Sequence, residues 1–368
     1  MSDKSSFNFP VSPLVGSSFG NYLQVVAGKK VNSKYMGRYL LTTIASAILD
    51  PFGKGETLVK SMTINNTKIK EDPVFIIGFW RSGTTYLHNL LCQDPYNAYV
   101  STYQSIFPHH CLMNSVWVKK LAELIAPDKR PVDNVKLNMN YPQEEEMALG
   151  NMQNISFYNF FYFPQHFDEY RKKALFFDGV SKKAFQKWEQ EYLLTIKKAI
   201  IQTGGKRFVS KNPPNTFRIP QLLKMFPNAK FVYIYRNPYN VLSSFILFID
   251  KVIKGVGFQK TDQINFEKQI FQLFKQALGK YETDKVLIPS ENLMEIKYEE
   301  FKQQPFQTIE NIYAQFGLAN FEQLSAKLKN YNSSQKGQKS GGHFVPEHLH
   351  DFISEELIEY MTKNNYSI

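Results

Sequence analysis

Cysteine is nearly missing from this chain of 368 residues, which holds two, Cys92 and Cys111. They show no C-x-x-C spacing, which argues against a disulfide framework and a cysteine zinc site, and no metal is expected. The N-terminal stretch MSDKSSFNFPVSPLVGSSF lacks a basic segment followed by a continuous apolar run. No secretory signal is read there, and a reducing cytoplasm is the expected compartment. Long hydrophobic runs are absent too. Tyr39 to Leu49 (YLLTTIASAIL) leans apolar but is too short and too rich in Thr and Ser to span a bilayer, so stable membrane insertion is not expected. It reads as a core helix, with a helix that helps approach a membrane or a lipid-like substrate as the alternative. No internal repeat is apparent.

What is present bounds the class. With 43% hydrophobic and 21% charged residues the chain can bury a substantial core, as one large domain or two ordinary ones. A formal net charge of +11 and a pI near 9.2 favour anionic partners: nucleic acid, membrane surfaces or polyphosphate-like small molecules. Zinc-finger spacing, helix-turn-helix signals and RNP-like strings are all missing, so no nucleic acid is expected. The sequence leaves a homodimer open.

Residues 73–91, PVFIIGFWRSGTTYLHNLL, begin with a short β-rich apolar run, turn through two glycines and continue with helical apolar spacing. A second unit spans 207–249, with a strand from Arg207 to Ser210 and a helix from Ile219 to Phe226. It continues with a buried strand from Phe231 to Tyr235 and a helix after Pro238. Later, Leu293 to Tyr298 reads as a strand and Pro305 to Phe316 as an amphipathic helix that Gly317 can cap. This alternation predicts an α/β fold with a central, mainly parallel sheet flanked by helices. Residues 99–200 break the rhythm with helical character and ten Phe or Tyr residues between Phe157 and Phe177, about threefold above the chain-wide 15%. This run is either core or an apolar pocket or lid. Asn332 to Gly342 is polar, Gly/Ser-rich and basic, and reads as a flexible loop.

A glycine turn between a strand and a helix gathers backbone N–H groups and the positive helix end around an anion. Gly78 and Gly83 have G-x4-G spacing, but Thr84 and Thr85 stand where a nucleotide triphosphatase needs Lys and then Ser or Thr. The cation sits inside the loop, at Arg81, which argues against a P-loop kinase using ATP and magnesium.

The string Arg81-Ser82-Gly83-Thr84-Thr85 after an apolar strand resembles the 5′-phosphosulfate loop of the sulfotransferase superfamily. The likeness is strongest to the bacterial sulfotransferases and the tyrosylprotein sulfotransferases, where Lys or Arg occupies the place of Arg81. Trp80 replaces a proline common in that loop. At 231–244, FVYIYRNPYNVLSS, an arginine ends a strand and a serine follows eight residues later, so that both can converge on one phosphate. The string resembles the superfamily's 3′-phosphate motif, with Arg236 and Ser244 as ligands and Ser243 as a bystander.

The resemblance implies 3′-phosphoadenosine-5′-phosphosulfate (PAPS) as sulfuryl donor and a P-loop-like sulfotransferase fold with a helical, aromatic-rich acceptor-side insertion. It covers roughly residues 73–317 and implies one domain over 1–368. Within it, 1–72 is a helical N-terminal extension, 73–317 the donor core with its insertion at about 99–200, and 318–368 a C-terminal cap with the basic loop. Lys211, in Lys211-Asn212-Pro213, matches a K-x-P segment whose lysine stabilises the leaving oxygen, and the surface is the other place for it. Tyr298, in Ile296-Lys297-Tyr298-Glu299-Glu300, matches a tyrosine that helps hold adenine, or is core. Lys339, in the loop that also carries Lys336 and His343, stands about where cytosolic members contact the 3′-phosphate.

Sulfuryl transfer needs charge stabilised on the leaving oxygen and, from a hydroxyl acceptor, a proton removed. Cytosolic members use a histidine two residues after the lysine, where this chain has Pro213. Other members use a glutamate shortly after the first helix, where it reads Val100-Ser101-Thr102-Tyr103-Gln104. The candidates left are Glu144, in Pro142-Gln143-Glu144-Glu145-Glu146, and the pair His109-His110, while His88 reads as packing. A solvated helix start is the alternative reading of the acidic cluster. The aromatic run favours a small apolar acceptor, a sterol, other lipid or phenol, over a polysaccharide, with a carbohydrate or peptide acceptor as the alternative.

Overall fold

The computed structural model describes residues 10–113, 115–125, 138–262, 264–334 and 347–367. Val74–Ile77 pairs three β-branched residues with Phe75, and these four buried residues form strand β1. The other strands are β2 (Asn97–Ala98), β3 (Arg207–Lys211), β4 (Lys230–Tyr235) and β5 (Leu293–Lys297), in the sheet order β2-β3-β1-β4-β5. β1 runs parallel to β3 and β4, and β4 parallel to β5, as the alternating pattern predicts. Register aligns Ile76 with Lys211 and Tyr235 with Lys297. The carboxyl ends of these strands therefore share one edge, where open parallel sheets bind ligands.

Helices follow where the apolar period changes. Thr84–Leu91 follows β1, and Pro238–Val256 follows β4 with Pro238 at its first position. Pro305–Gln315 ends before Gly317, whose φ of +60° lets Leu318 N–H reach Tyr313 O at 2.9 Å. Phe321–Ser334 is helical, so residues 332–334 extend a helix and do not belong to a loop. Residues 335–346, with Lys336, Lys339 and His343, lie outside the described residues.

Two compact units emerge. A sheet unit holds Asp72–Asn97, Val209–Leu247 and the chain from Asn265 onward; a helical unit holds the chain through Glu71, Ala98–Phe208 and Phe248–Ile264. Within the helical unit the aromatic run forms the 3-10 turns Phe157–Phe161 and Pro164–His166, the short helix Phe167–Tyr170 and the π turn Arg171–Leu175. Phe157, Phe160, Phe163 and Phe167 are fully buried, and Phe160 meets Phe161 and Phe167 with ring centres 4.2 and 5.1 Å apart. These rings are core packing.

Tyr39 to Leu49 lies inside a 31-residue helix, Met36–Asn66, and differs from the expected core helix. Its buried face carries Arg38, Thr42, Ser46 and Glu56, while Leu40, Leu41, Ile44 and Ile48 are exposed. The polar side chains turn inward because their partners are there. Arg38 donates to Gly257 O at 2.6 Å, Ser46 to Ser17 O at 3.2 Å, and Glu56 accepts the N–H groups of Leu112 and Met113 at 2.9 and 2.7 Å. Among the described residues, no helix is long and apolar enough to cross a membrane.

Candidate active site

β1 ends at Ile77, and the loop that follows can bend as it does only with glycine at two places. Gly78 has φ +142°, and a Cβ there would lie 2.2 Å from Ile234 O. Gly83 has φ +100°, and its Cβ would lie 2.3 Å from the Tyr298 ring. Thr216, on the 3-10 turn Pro213–Phe217, clamps the start of the loop: Gly78 N–H donates to Thr216 Oγ1 at 2.9 Å, and that hydroxyl donates to Gly78 O at 3.2 Å. Trp80 is buried and stacks on Phe245 at 5.2 Å, while Phe79 meets Phe245 and Phe274 edge-on. These rings pin the loop through packing, with Trp80 at the place where the resembled loop commonly has a proline. Ser82 and Thr84 are buried and Thr85 half-buried, at the N-terminus of helix Thr84–Leu91, where the helix dipole favours an anion.

Both arginines reach this loop. Arg81 donates from Nε to Ser244 Oγ at 2.9 Å, and Arg236 donates from Nη1 to Arg81 O at 3.2 Å. The Arg236 guanidinium also lies 4.5 Å from the centre of the Tyr298 ring, a cation–π distance. Arg81, Gly83, Arg236, Ser244 and Tyr298, distant in sequence, are thus brought together. Ser243 instead donates back to Tyr239 O at 2.6 Å, as expected of a bystander.

Lys211 is 2% exposed at the carboxyl end of β3, which excludes the surface reading. Its charge is felt nearby. Burial first, and Lys211 next, lower His88 to about 3, and His88 Nε2 is bonded to Val209 O at 3.2 Å. Burial raises the Cys92 thiol, with Lys211 acting in the opposite direction. His88 is therefore a neutral packing residue at neutral pH, as its position on the helix implied.

The base candidates belong to the helical unit. Glu144 is half-buried, stands at the N-cap position of helix Glu145–Met152 without a side-chain capping bond, and accepts a hydrogen bond from Tyr158 Oη. Glu145 accepts from Tyr192 Oη at 2.7 Å and Glu146 from Phe157 N–H at 2.9 Å, both fully buried, so a solvated helix start does not describe this cluster. His109 Nε2 lies 3.3 Å from Asn151 O; burial, and next Lys198, lower His109 to about 3 and His110 to about 4. Such imidazoles are weak bases. They also border a cleft of about 390 Å³ with Ser17, Asp50, Gly53 and Lys54.

Two residues were missed by sequence reasoning. Thr216 is 138 positions from the glycine it holds, and no local pattern marks it. Glu299 accepts the N–H of Asn237 at 3.1 Å and so braces the turn after Arg236; its place directly after Tyr298 was the available signal.

The model of the sulfotransferase family matches residues 73–323. A curated relative from Mycobacterium tuberculosis (strain CDC 1551 / Oshkosh), omega-hydroxy-beta-dihydromenaquinone-9 sulfotransferase Stf3, is 25% identical over 354 residues, covering 96% of this chain and 90% of that protein. Among solved structures, sulfotransferase STF9 from Mycobacterium avium aligns at TM-score 0.63 and 16% identity, covering 100% of this chain and 99% of its own. STF1 from Mycobacterium tuberculosis H37Rv aligns at 0.62 and 16%, covering 86% and 88%.

Proposed function

Because the chain belongs to the sulfotransferase family, we propose that it transfers the sulfuryl group of PAPS to a hydroxyl of a hydrophobic small molecule, with all of 1–368 acting as one catalytic domain. The observation that carries this reading is the convergence of Arg81, Ser244, Arg236 and Tyr298 on a strand-to-helix glycine loop. The site fits the donor: close backbone approach at Gly78 and Gly83, two guanidinium groups and a helix N-terminus all favour a bis-phosphorylated ligand.

When bound, PAPS supplies a sulfuryl group activated by attachment to a phosphate. Arg81, the loop amides and the hydroxyls of Ser82, Thr84 and Thr85 hold the 5′ end, Arg236 and Ser244 the 3′-phosphate, and Tyr298 the adenine; Lys339 is a further candidate for the 3′-phosphate. Lys211 donates toward the leaving oxygen, where buried cationic donors are most effective. Glu144, oriented by Tyr158, takes the acceptor proton. A hydrophobic acceptor is supported by a relative named for omega-hydroxy-beta-dihydromenaquinone-9.

Calorimetry with adenosine 3′,5′-bisphosphate in the absence of magnesium tests the donor, and tighter binding of ATP would overturn it. Transfer from labelled PAPS to a panel of sterols, isoprenoid alcohols, phenols, sugars and peptides tests the acceptor class. Preference for sugars or peptides would overturn that half.

A further inference from the structure

Helix Met36–Asn66 is amphipathic the wrong way round for a helix whose only environments are core and water. At about 100° per residue its exposed apolar residues, from Met36 to Met62, fall in one half of the circumference, and buried Arg38, Thr42 and Glu56 fall in the other. Leu58 and Met62 are 76% and 75% exposed. The charged residues in this span are Arg38, Asp50, Lys54, Glu56 and Lys60. Arg38 and Glu56 are buried, Asp50 pairs with Lys54 at 2.7 Å on the margin of the stripe, and Lys60 lies on the side of Glu56. An uncharged apolar strip roughly 40 Å long is left facing outward.

A second helix of the same unit, Ser115–Ile125, widens it. Val116, Trp117 and Leu121 are exposed there, and the Trp117 ring meets Phe52 edge-on at 5.2 Å. Exposed lysines flank the strip along the chain: Lys30 and Lys34 before the long helix, Lys68 and Lys70 after it, with Glu71 and the exposed Asp72 following, and Lys120 three residues from Trp117. Such a patch is larger than the scattered apolar residues of an ordinary monomer surface.

We propose that the face formed by Leu40, Leu41, Ile44, Ile48, Phe52 and Trp117 docks on an anionic lipid bilayer, the helix lying in the plane of the interface. An aromatic pair suits the headgroup boundary, and lysines at both ends of the strip attract anionic headgroups. A second copy of this chain would set lysine-flanked ends against lysine-flanked ends in either orientation of the two helices, so charge favours the bilayer. The purpose rests on the hydrophobic acceptor proposed above, since a bilayer is where such a molecule resides. The docking itself is read without turnover.

Trp117 reports it directly, being 41% exposed where Trp80 and Trp188 are 3% and 0%. On addition of phosphatidylcholine vesicles containing phosphatidylglycerol, Trp117 emission should shift to the blue and be quenched by lipids brominated on their chains. Flotation should carry the protein with these vesicles, less so with pure phosphatidylcholine or in high salt. The double substitution Ile44→Glu, Ile48→Glu, at exposed positions, should weaken partitioning by about tenfold or more while melting temperature and turnover of a water-soluble phenol stay as in the parent. Equal partitioning of parent and variant, or a parent that does not float, would overturn the proposal. So would a concentration-dependent dimer that the same variant abolishes, which would give the face to a second copy. Flotation without any sulfuryl transfer would sink the enzymatic reading and leave docking standing.

Discussion

The two units treat their buried polar groups differently. In the sheet unit they converge on one sheet edge: the Arg81 side chain bonds Ser244, the Arg236 side chain bonds the backbone of Arg81, and Thr216 bonds both polar groups of the Gly78 backbone. In the helical unit the fully buried carboxylates are engaged within the core of that unit. Glu56 holds the backbone at Leu112 and Met113, Glu145 holds Tyr192, and Glu146 holds Phe157. One unit assembles a site from its loops, while the other uses its polar groups to secure an aromatic core. Glu144, half-buried and bonded by Tyr158, is the carboxylate of that unit proposed above for proton transfer.

The contrast can be broken most severely at the arginines. Arg81→Ala and Arg236→Ala should each weaken binding of adenosine 3′,5′-bisphosphate by about a hundredfold, the scale of a lost charge-assisted hydrogen bond to phosphate, as measured by calorimetry. Binding within threefold of the parent would detach that arginine from the donor site. Lys211→Ala should lower kcat by roughly a hundredfold while leaving the dissociation constant of the bisphosphate nearly unchanged, because its contribution belongs to the transition state. A parallel loss of affinity would recast it as a binding residue.

Glu144→Gln retains a partner for Tyr158 and should lower kcat by tens of times to about a hundredfold, with an unchanged melting temperature. An unaltered kcat would remove the helical unit from proton transfer. The smallest effect concerns pH and stability. His88 and His110 are held neutral by burial down to about 3 and about 4. Unfolded, each takes a proton as pH falls below about 6.5. The stability owed to their neutral burial should thus be whole above that pH and decline steadily toward pH 4. The urea midpoint should follow this course, and His110→Asn should flatten part of it.

The sheet and its edge were largely legible in the sequence because each signal is local. β1 and the glycine loop lie within 73–91, and Arg236 and Ser244 within fourteen residues that end a strand and start a helix. Such patterns reflect backbone sterics, which act between near neighbours. Thr216 was not legible because it acts across 138 positions, and Glu299, signalled only by its place after Tyr298, acts across 62, through contacts that exist only once the strands are ordered. The long helix was misread for another reason. Apolar periodicity shows that a helix has two faces but not which one the fold covers, and buried Arg38 and Glu56 settled that by finding backbone partners.

The path of the chain also bears on how this protein can change. It passes between its two units after Glu71, Asn97, Phe208, Leu247 and Ile264. Neither unit is a continuous segment, so no single recombination point can exchange one and keep the other. New specificity must come by substitution or by lengthening the intervening segments, and a hybrid made by joining halves of two homologues would inherit fragments of both units.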